Sequence, residues 1–149
     1  MHYSSGLVKT IPNTNNRQVL EGKILQYLII VNTIGAPTML INKKAFQEIG
    51  GFDERLRVVE DWNFAIRFAE KYPIGYVDEI LVDAYQIDEG VSSNMEATFG
   101  ERCKMISEYR QILYQHGLFD TAVKLLFEQA IEHNCLEKVK TMFLSYLTE

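Results

Sequence analysis

The sequence predicts an α/β chain, a short mixed sheet with helices, followed by a helical tail. Two observations carry that prediction. Up to about residue 93, short apolar runs alternate with stretches of helical period. From about residue 94 the period is helical almost throughout. A third observation bounds it: 149 residues and 17.2 kDa suit one compact domain, or one and a half, with a real core.

Taken in order, residues 5–11 read as a short strand, ending at Pro12 and the turn Asn13-Thr14-Asn15-Asn16. Val19, Leu20, Ile24, Leu25, Leu28 and Val31 recur at helical spacing, which predicts an amphipathic helix over roughly 17–31. The apolar run Thr38-Met39-Leu40-Ile41 is too short for a helix and reads as a buried strand. Residues 43–49 form a short helix stopped by Gly50-Gly51. Glu60-Asp61 opens the next helix, with Trp62, Ala65, Ile66 and Ala69 on one face. Pro73 sets its end near Tyr72. Residues 75–77 and 80–87 read as two short strands, and Asp88-Glu89-Gly90 as a loop. The rest is helical, with breaks near Gly117 and Asn134-Cys135. From Leu118 onward it resembles one hairpin of a helical solenoid, which must dock on something to cover its apolar face.

Composition excludes several classes. A hydrophobic fraction of 47% and an aromatic fraction of 11% exclude global disorder. Fifteen Lys and Arg stand against 20 Asp and Glu, a formal charge of -5 without a basic stripe, which argues against nucleic acid as a partner. Cys103 and Cys135 make no disulfide framework and no C-x-x-C pair, which suits a reducing, cytoplasmic setting. Met1-His2-Tyr3-Ser4-Ser5-Gly6 has neither a basic n-region nor an apolar h-region, so no signal peptide is expected. Residues 24–41 are apolar but too interrupted by polar residues, Gly35 and Pro37 for a transmembrane segment.

The informative stretch runs from Gly35 to Ser93. It holds Gly35-Ala36-Pro37-Thr38, then Gly50-Gly51-Phe52-Asp53-Glu54, then Glu60-Asp61-Trp62, and later Leu81-Val82-Asp83-Ala84-Tyr85-Gln86. This order resembles the second half of a family 2 glycosyltransferase of the GT-A fold, over about residues 3–110. The resemblance implies the C-terminal, acceptor-side portion of a nucleotide-diphospho-sugar transferase domain over 1–110, with a helical tail over 111–149. It implies inverting transfer of a sugar from a nucleotide-sugar donor to a glycan or lipid-linked acceptor, in polysaccharide biosynthesis.

Carried over by position, Asp61 is the general base, with Glu60 beside it. The bland alternative for Asp61 is a helix N-cap, and the two roles are compatible. Gly35, Ala36, Pro37 and Thr38 form a wall of the acceptor site, where small side chains let a ligand near the backbone. Asp53 and Glu54 lie near the acceptor cleft, although Asp53 equally serves its own turn. Trp62 can stack on a sugar ring, but its place on the apolar face favours core packing. Arg67 reads as a surface or structural ion pair.

The resemblance also implies a divalent metal, Mn²⁺ or Mg²⁺, in the complete enzyme. The loop after the last strand has no His, and Asp88 is its weak metal candidate. No D-x-D occurs in the chain, and that motif would hold the metal-diphosphate in the family's first half. The expectation is therefore a fragment, inactive and metal-free alone, whose exposed sheet edge drives self-association. Peripheral attachment at the inner membrane face suits a lipid-linked acceptor, though no basic amphipathic helix supports it. The alternative is a non-catalytic sugar- or protein-binding interaction module that keeps part of the fold. A third reading, a helical scaffold built on residues 94–149, ignores residues 35–93.

Overall fold

The computed structural model describes residues 16–83 and 94–148. It divides into two compact units, Met1–Ser93 and Asn94–Glu149. The described part of the first unit holds α1 (Leu25–Ile30), α2 (Lys43–Ile49) and α3 (Glu60–Lys71), with 3-10 turns at Arg17–Val19 and Ala36–Thr38. The second holds α4 (Met95–Glu108), α5 (Arg110–Gln115), α6 (Phe119–Glu132) and α7 (Leu136–Leu147).

The expected α/β fold with a mixed sheet is overturned. Among the described residues no strand forms, and the single β-type pairing is an isolated antiparallel bridge between Gly22 and Ile74. Its two hydrogen bonds measure 2.7 and 2.9 Å. The run Thr38-Met39-Leu40-Ile41 is not a buried strand. Pro37 fixes its own φ and donates no N–H, so the chain there takes a 3-10 turn. Thr38 closes that turn, donating both its N–H and its hydroxyl to the Gly35 carbonyl at 2.9 and 2.8 Å. Leu40 then stands fully exposed. Residues 75–83 form no strand either, and Val77, Ile80 and Leu81 are exposed. An apolar run becomes a strand only where a neighbour takes its ladder hydrogen bonds. The expected strand at 5–11, and the 80–87 run from residue 84 on, lie outside the described residues.

The helix expected over 17–31 is confined to Leu25–Ile30, because Gly22 breaks the chain at φ +89°. The other two helices of this unit form as the sequence indicates. Asn42 caps α2, its side chain accepting from the N–H groups of Lys44 (2.9 Å) and Ala45 (3.3 Å). Such a cap contributes about 1 kcal/mol. Gly50 (φ +86°) and Gly51 (φ +67°) end the helix in left-handed geometry, with Gly51 N–H bonded to the Phe46 carbonyl at 3.0 Å. A β-carbon on Gly51 would also press to 3.2 Å against the Phe46 ring.

The core of the unit lies where α1 and α2 pack on α3. Trp62, Ala65, Ile66 and Ala69 are buried together with Ile24, Leu28 and Ile29. Beside them runs an aromatic cluster centred on Phe64. Its ring lies 5.2 Å from those of Phe46 and Phe52, and 5.9 Å from Phe68. Tyr72 continues the row, its hydroxyl donating to Glu48 at 2.7 Å. That carboxylate holds the phenol proton in place and raises its pKa.

In the second unit the hairpin α6–α7 finds its cover in α4, with α5 against α4 and α6. Phe99, Cys103, Ile106, Leu113, Leu126 and Val139 fill this core. The breaks fall at Gly117 and at Asn134, which adopts φ 53°. Asparagine tolerates that conformation better than most residues. Cys103 is fully buried, and burial pushes its thiol up to about 11. Cys135 is only half-buried. In the native chain at pH 8, a disulfide reagent such as Ellman's is therefore expected to titrate Cys135 rapidly and Cys103 only on unfolding. Two equally fast thiols would contradict this.

Candidate functional site

Of the residues singled out by the sequence, Glu60, Asp61 and the Gly35-Ala36-Pro37-Thr38 turn come together where α3 begins. Asp61 sits in the first turn of α3 and is half-buried. Its Oδ2 accepts from the Ala36 N–H at 3.0 Å, and its Oδ1 from the Trp62 N–H at 2.7 Å. The first bond spans twenty-five positions of sequence and brings the Gly35-Ala36-Pro37-Thr38 turn to the carboxylate. Gly35 faces it closely: a β-carbon there would lie 4.0 Å from Asp61 Oδ2 and 3.8 Å from Pro37 Cδ. A carboxylate has about four lone-pair positions, so two backbone donors orient it and leave acceptor capacity.

The backbone ahead of this helix is strained. Val59, its N-cap, has φ 55° and ψ 23°. A β-branched residue pays about 1–2 kcal/mol in that region. Val59 still starts the ladder, its carbonyl accepting from Asn63 N–H at 2.9 Å. Glu60, the first helical residue, is half-buried beside Asp61.

The other expected site residues are placed differently. Trp62 is 4% exposed, and its indole N–H donates to the Leu28 carbonyl at 2.5 Å. It is a core residue joining α3 to α1. Asp53 accepts from the Arg55 N–H at 3.1 Å and pairs with the Arg55 guanidinium at 2.7–2.9 Å. Those bonds hold its carboxyl well below the usual carboxylate range, with the charge of Arg67 adding a smaller effect. Asp53 thus fixes the turn in which its carbonyl accepts from Leu56 N–H. Glu54 is exposed on the same turn. Asp88 lies outside the described residues.

Arg67 departs from the expected ion pair, since its partners are neutral oxygens. It donates to Asn63 Oδ1 (2.8 Å) and to the carbonyls of Ile49 (2.9 Å) and Gly51 (2.7 Å). Its guanidinium carbon also lies 5.7 Å from the centre of the Phe64 ring. It clamps the end of α2 and the Gly50-Gly51 turn onto α3. The spacing from Asn63 to Arg67 is a helical neighbour spacing, a signal available in the sequence. Arg67→Met keeps the stem and removes the donors. It is expected to cost about 2 kcal/mol, because the two carbonyls are left short of partners. Urea unfolding followed by Trp62 fluorescence measures it, and an unchanged midpoint refutes the clamp.

Among the described residues, no group of three or more His, Cys, Asp or Glu side chains is placed to hold a metal ion. Both Asp61 oxygens already accept backbone N–H bonds. The described donors do not compose a divalent-cation site. No helix among the described residues is long and apolar enough to cross a membrane.

Comparison with known proteins bears on the same segment. No curated protein and no solved structure matches the chain. The family model for the glycosyltransferase-like family 2 matches residues 13–86. That span includes α1 to α3, the Gly35-Ala36-Pro37-Thr38 turn and Asp61. Through residues 13–86, this chain belongs to the glycosyltransferase-like family 2.

Proposed function

We propose that residues 13–86 form the acceptor side of an inverting glycosyltransferase, with Asp61 as its general base. The supporting observation is the bond from Ala36 N–H to Asp61 Oδ2. It holds an acceptor-only group against a small-residue turn, where a β-carbon on Gly35 would meet Asp61 Oδ2 at 4.0 Å. In the reaction, the acceptor oxygen bonds to the anomeric carbon of a nucleotide-sugar. The bond from that carbon to the diphosphate oxygen breaks, and its electron pair leaves with the nucleoside diphosphate. The hydroxyl proton passes to Asp61. Glu60 adds negative charge beside it, and Gly35 to Thr38 line the approach of the acceptor. Asp53 and Glu54 shape the neighbouring turn, and Trp62 supports α3 from within.

The donor's diphosphate needs groups that this chain does not carry in a D-x-D, so the 149-residue chain alone is expected to turn over no nucleotide-sugar. The test is the longest reading frame that contains this segment, assayed for nucleotide-sugar transfer or hydrolysis with Mn²⁺, as wild type and as Asp61→Asn. Equal rates would overturn the assignment. Turnover by the isolated chain would overturn the claim that it is one side of a site.

A further inference from the structure

We propose that the loop from Ala36 to Lys44 docks on a bilayer surface that carries anionic lipids. The first observation is Leu40, which is 101% exposed. Among the described residues of its own unit, no side chain shields it. It lies in the irregular link between the 3-10 turn Ala36–Thr38 and α2, whose flanking residues Met39 and Asn42 have extended backbone. Pro37 and Thr38 are exposed beside it, and Met39 and Ile41 are half-buried.

The second observation is charge. The chain carries 20 acidic residues and a net charge of -5, yet residues 22–47 contain no Asp or Glu. Their charged residues are Lys23, Lys43 and Lys44, and all three are exposed. Lys43 and Lys44 come directly after the Leu40 loop and its cap Asn42. The stretch itself carries no acid, although Asp61 accepts from the Ala36 N–H at the start of the loop, and the lysines at the loop's other end suit a negatively charged surface.

The shape of the feature favours lipid over protein. A protein partner would need a pocket matched to one protruding leucine. A fluid acyl layer accepts a protruding apolar group without a matched pocket, while lysine ammonium groups remain at headgroup level. A second exposed apolar run among the described residues, Val77 to Val82, is interrupted by Asp78 and Glu79 and has no lysine or arginine within it. The proposal rests on the loop alone and holds whether or not Asp61 is a base. If both hold, the carboxylate lies close to the interface, since Leu40 is four residues from Ala36.

The test is co-sedimentation of the 149-residue chain with vesicles of phosphatidylcholine containing about one-third phosphatidylserine, and with pure phosphatidylcholine, at low and high salt. Preferential, salt-sensitive binding to the anionic vesicles is expected. Leu40→Asp and the double variant Lys43→Glu/Lys44→Glu are each expected to lower partitioning about tenfold. Both changes lie on exposed positions, and circular dichroism checks that the fold is kept. Wild-type chain left in the supernatant overturns the proposal. So does binding that the variants leave unchanged, which would point to another surface. Light scattering covers the remaining occupant. If Leu40→Asp abolishes a dimer and vesicles bind neither form, the loop is an interface between copies and the lipid assignment is wrong.

Discussion

Asp61→Asn is expected to lower kcat about a thousandfold in the reading frame that turns over. A positioned general base contributes about 10²–10⁴ in rate. The amide is nearly the same size but has no appreciable basicity, so the acceptor hydroxyl keeps its proton as it attacks. The substitution has a second, smaller consequence that the structure makes explicit. Both Asp61 oxygens receive a backbone N–H. An asparagine has one carbonyl oxygen, so one of those N–H groups meets a competing NH₂ donor. An unsatisfied, part-buried donor costs about 1–3 kcal/mol. Kinetics and urea unfolding must therefore be read together. The expected pattern is a modest fall in midpoint with a collapse in kcat. Asp61→Glu is expected to restore some activity, because it restores a carboxylate. A fall in midpoint with unchanged kcat would leave Asp61 a structural tie between α3 and the Ala36 turn.

Phe64→Ala is expected to destabilise the first unit by about 4 kcal/mol. Phe64 is 2% exposed and touches three other rings. Removing a buried aromatic side chain costs about 3–5 kcal/mol, from lost transfer energy plus the cavity left behind. Collapse of the site is restricted, because Phe46 and Phe52 come from α2 and its following turn while Phe68 is on α3 itself. The Arg67 guanidinium also loses the ring face it lies over. Trp62 is the sole tryptophan and is buried two residues away, so its fluorescence reports this unit directly. A loss below about 1 kcal/mol would mean that the aromatic row is loosely packed.

The helices were legible in the sequence where local chemistry decides them. Asn42 and Gly50 bracket α2, Pro73 follows α3, and the apolar face of α3 repeats at helical spacing. The family was legible too, because it rests on the order of short motifs rather than on the conformation of any one. The sheet was misread for a physical reason. Thr38-Met39-Leu40-Ile41 and the run from Ile80 have strand-like composition, but pairing is a property of two segments and composition reports one. The long reach from Asp61 to Ala36 was equally hidden, since nothing periodic connects residues that far apart. Val59 gave no warning either. Its left-handed backbone is imposed by its neighbours, against the preference of its own side chain.

The bridge between Gly22 and Ile74 has a consequence for how the chain reaches its native state. Two hydrogen bonds close a ring of chain that contains α1, α2 and α3. Closing a ring of that length costs about 3–4 kcal/mol of chain entropy if nothing else holds the ends together. Two bonds do not repay that alone, so the bridge forms only after helix packing has brought its ends close. It belongs to the last stage of folding and to the first stage of opening. The amide protons of Gly22 and Ile74 therefore exchange with solvent ahead of those within α3.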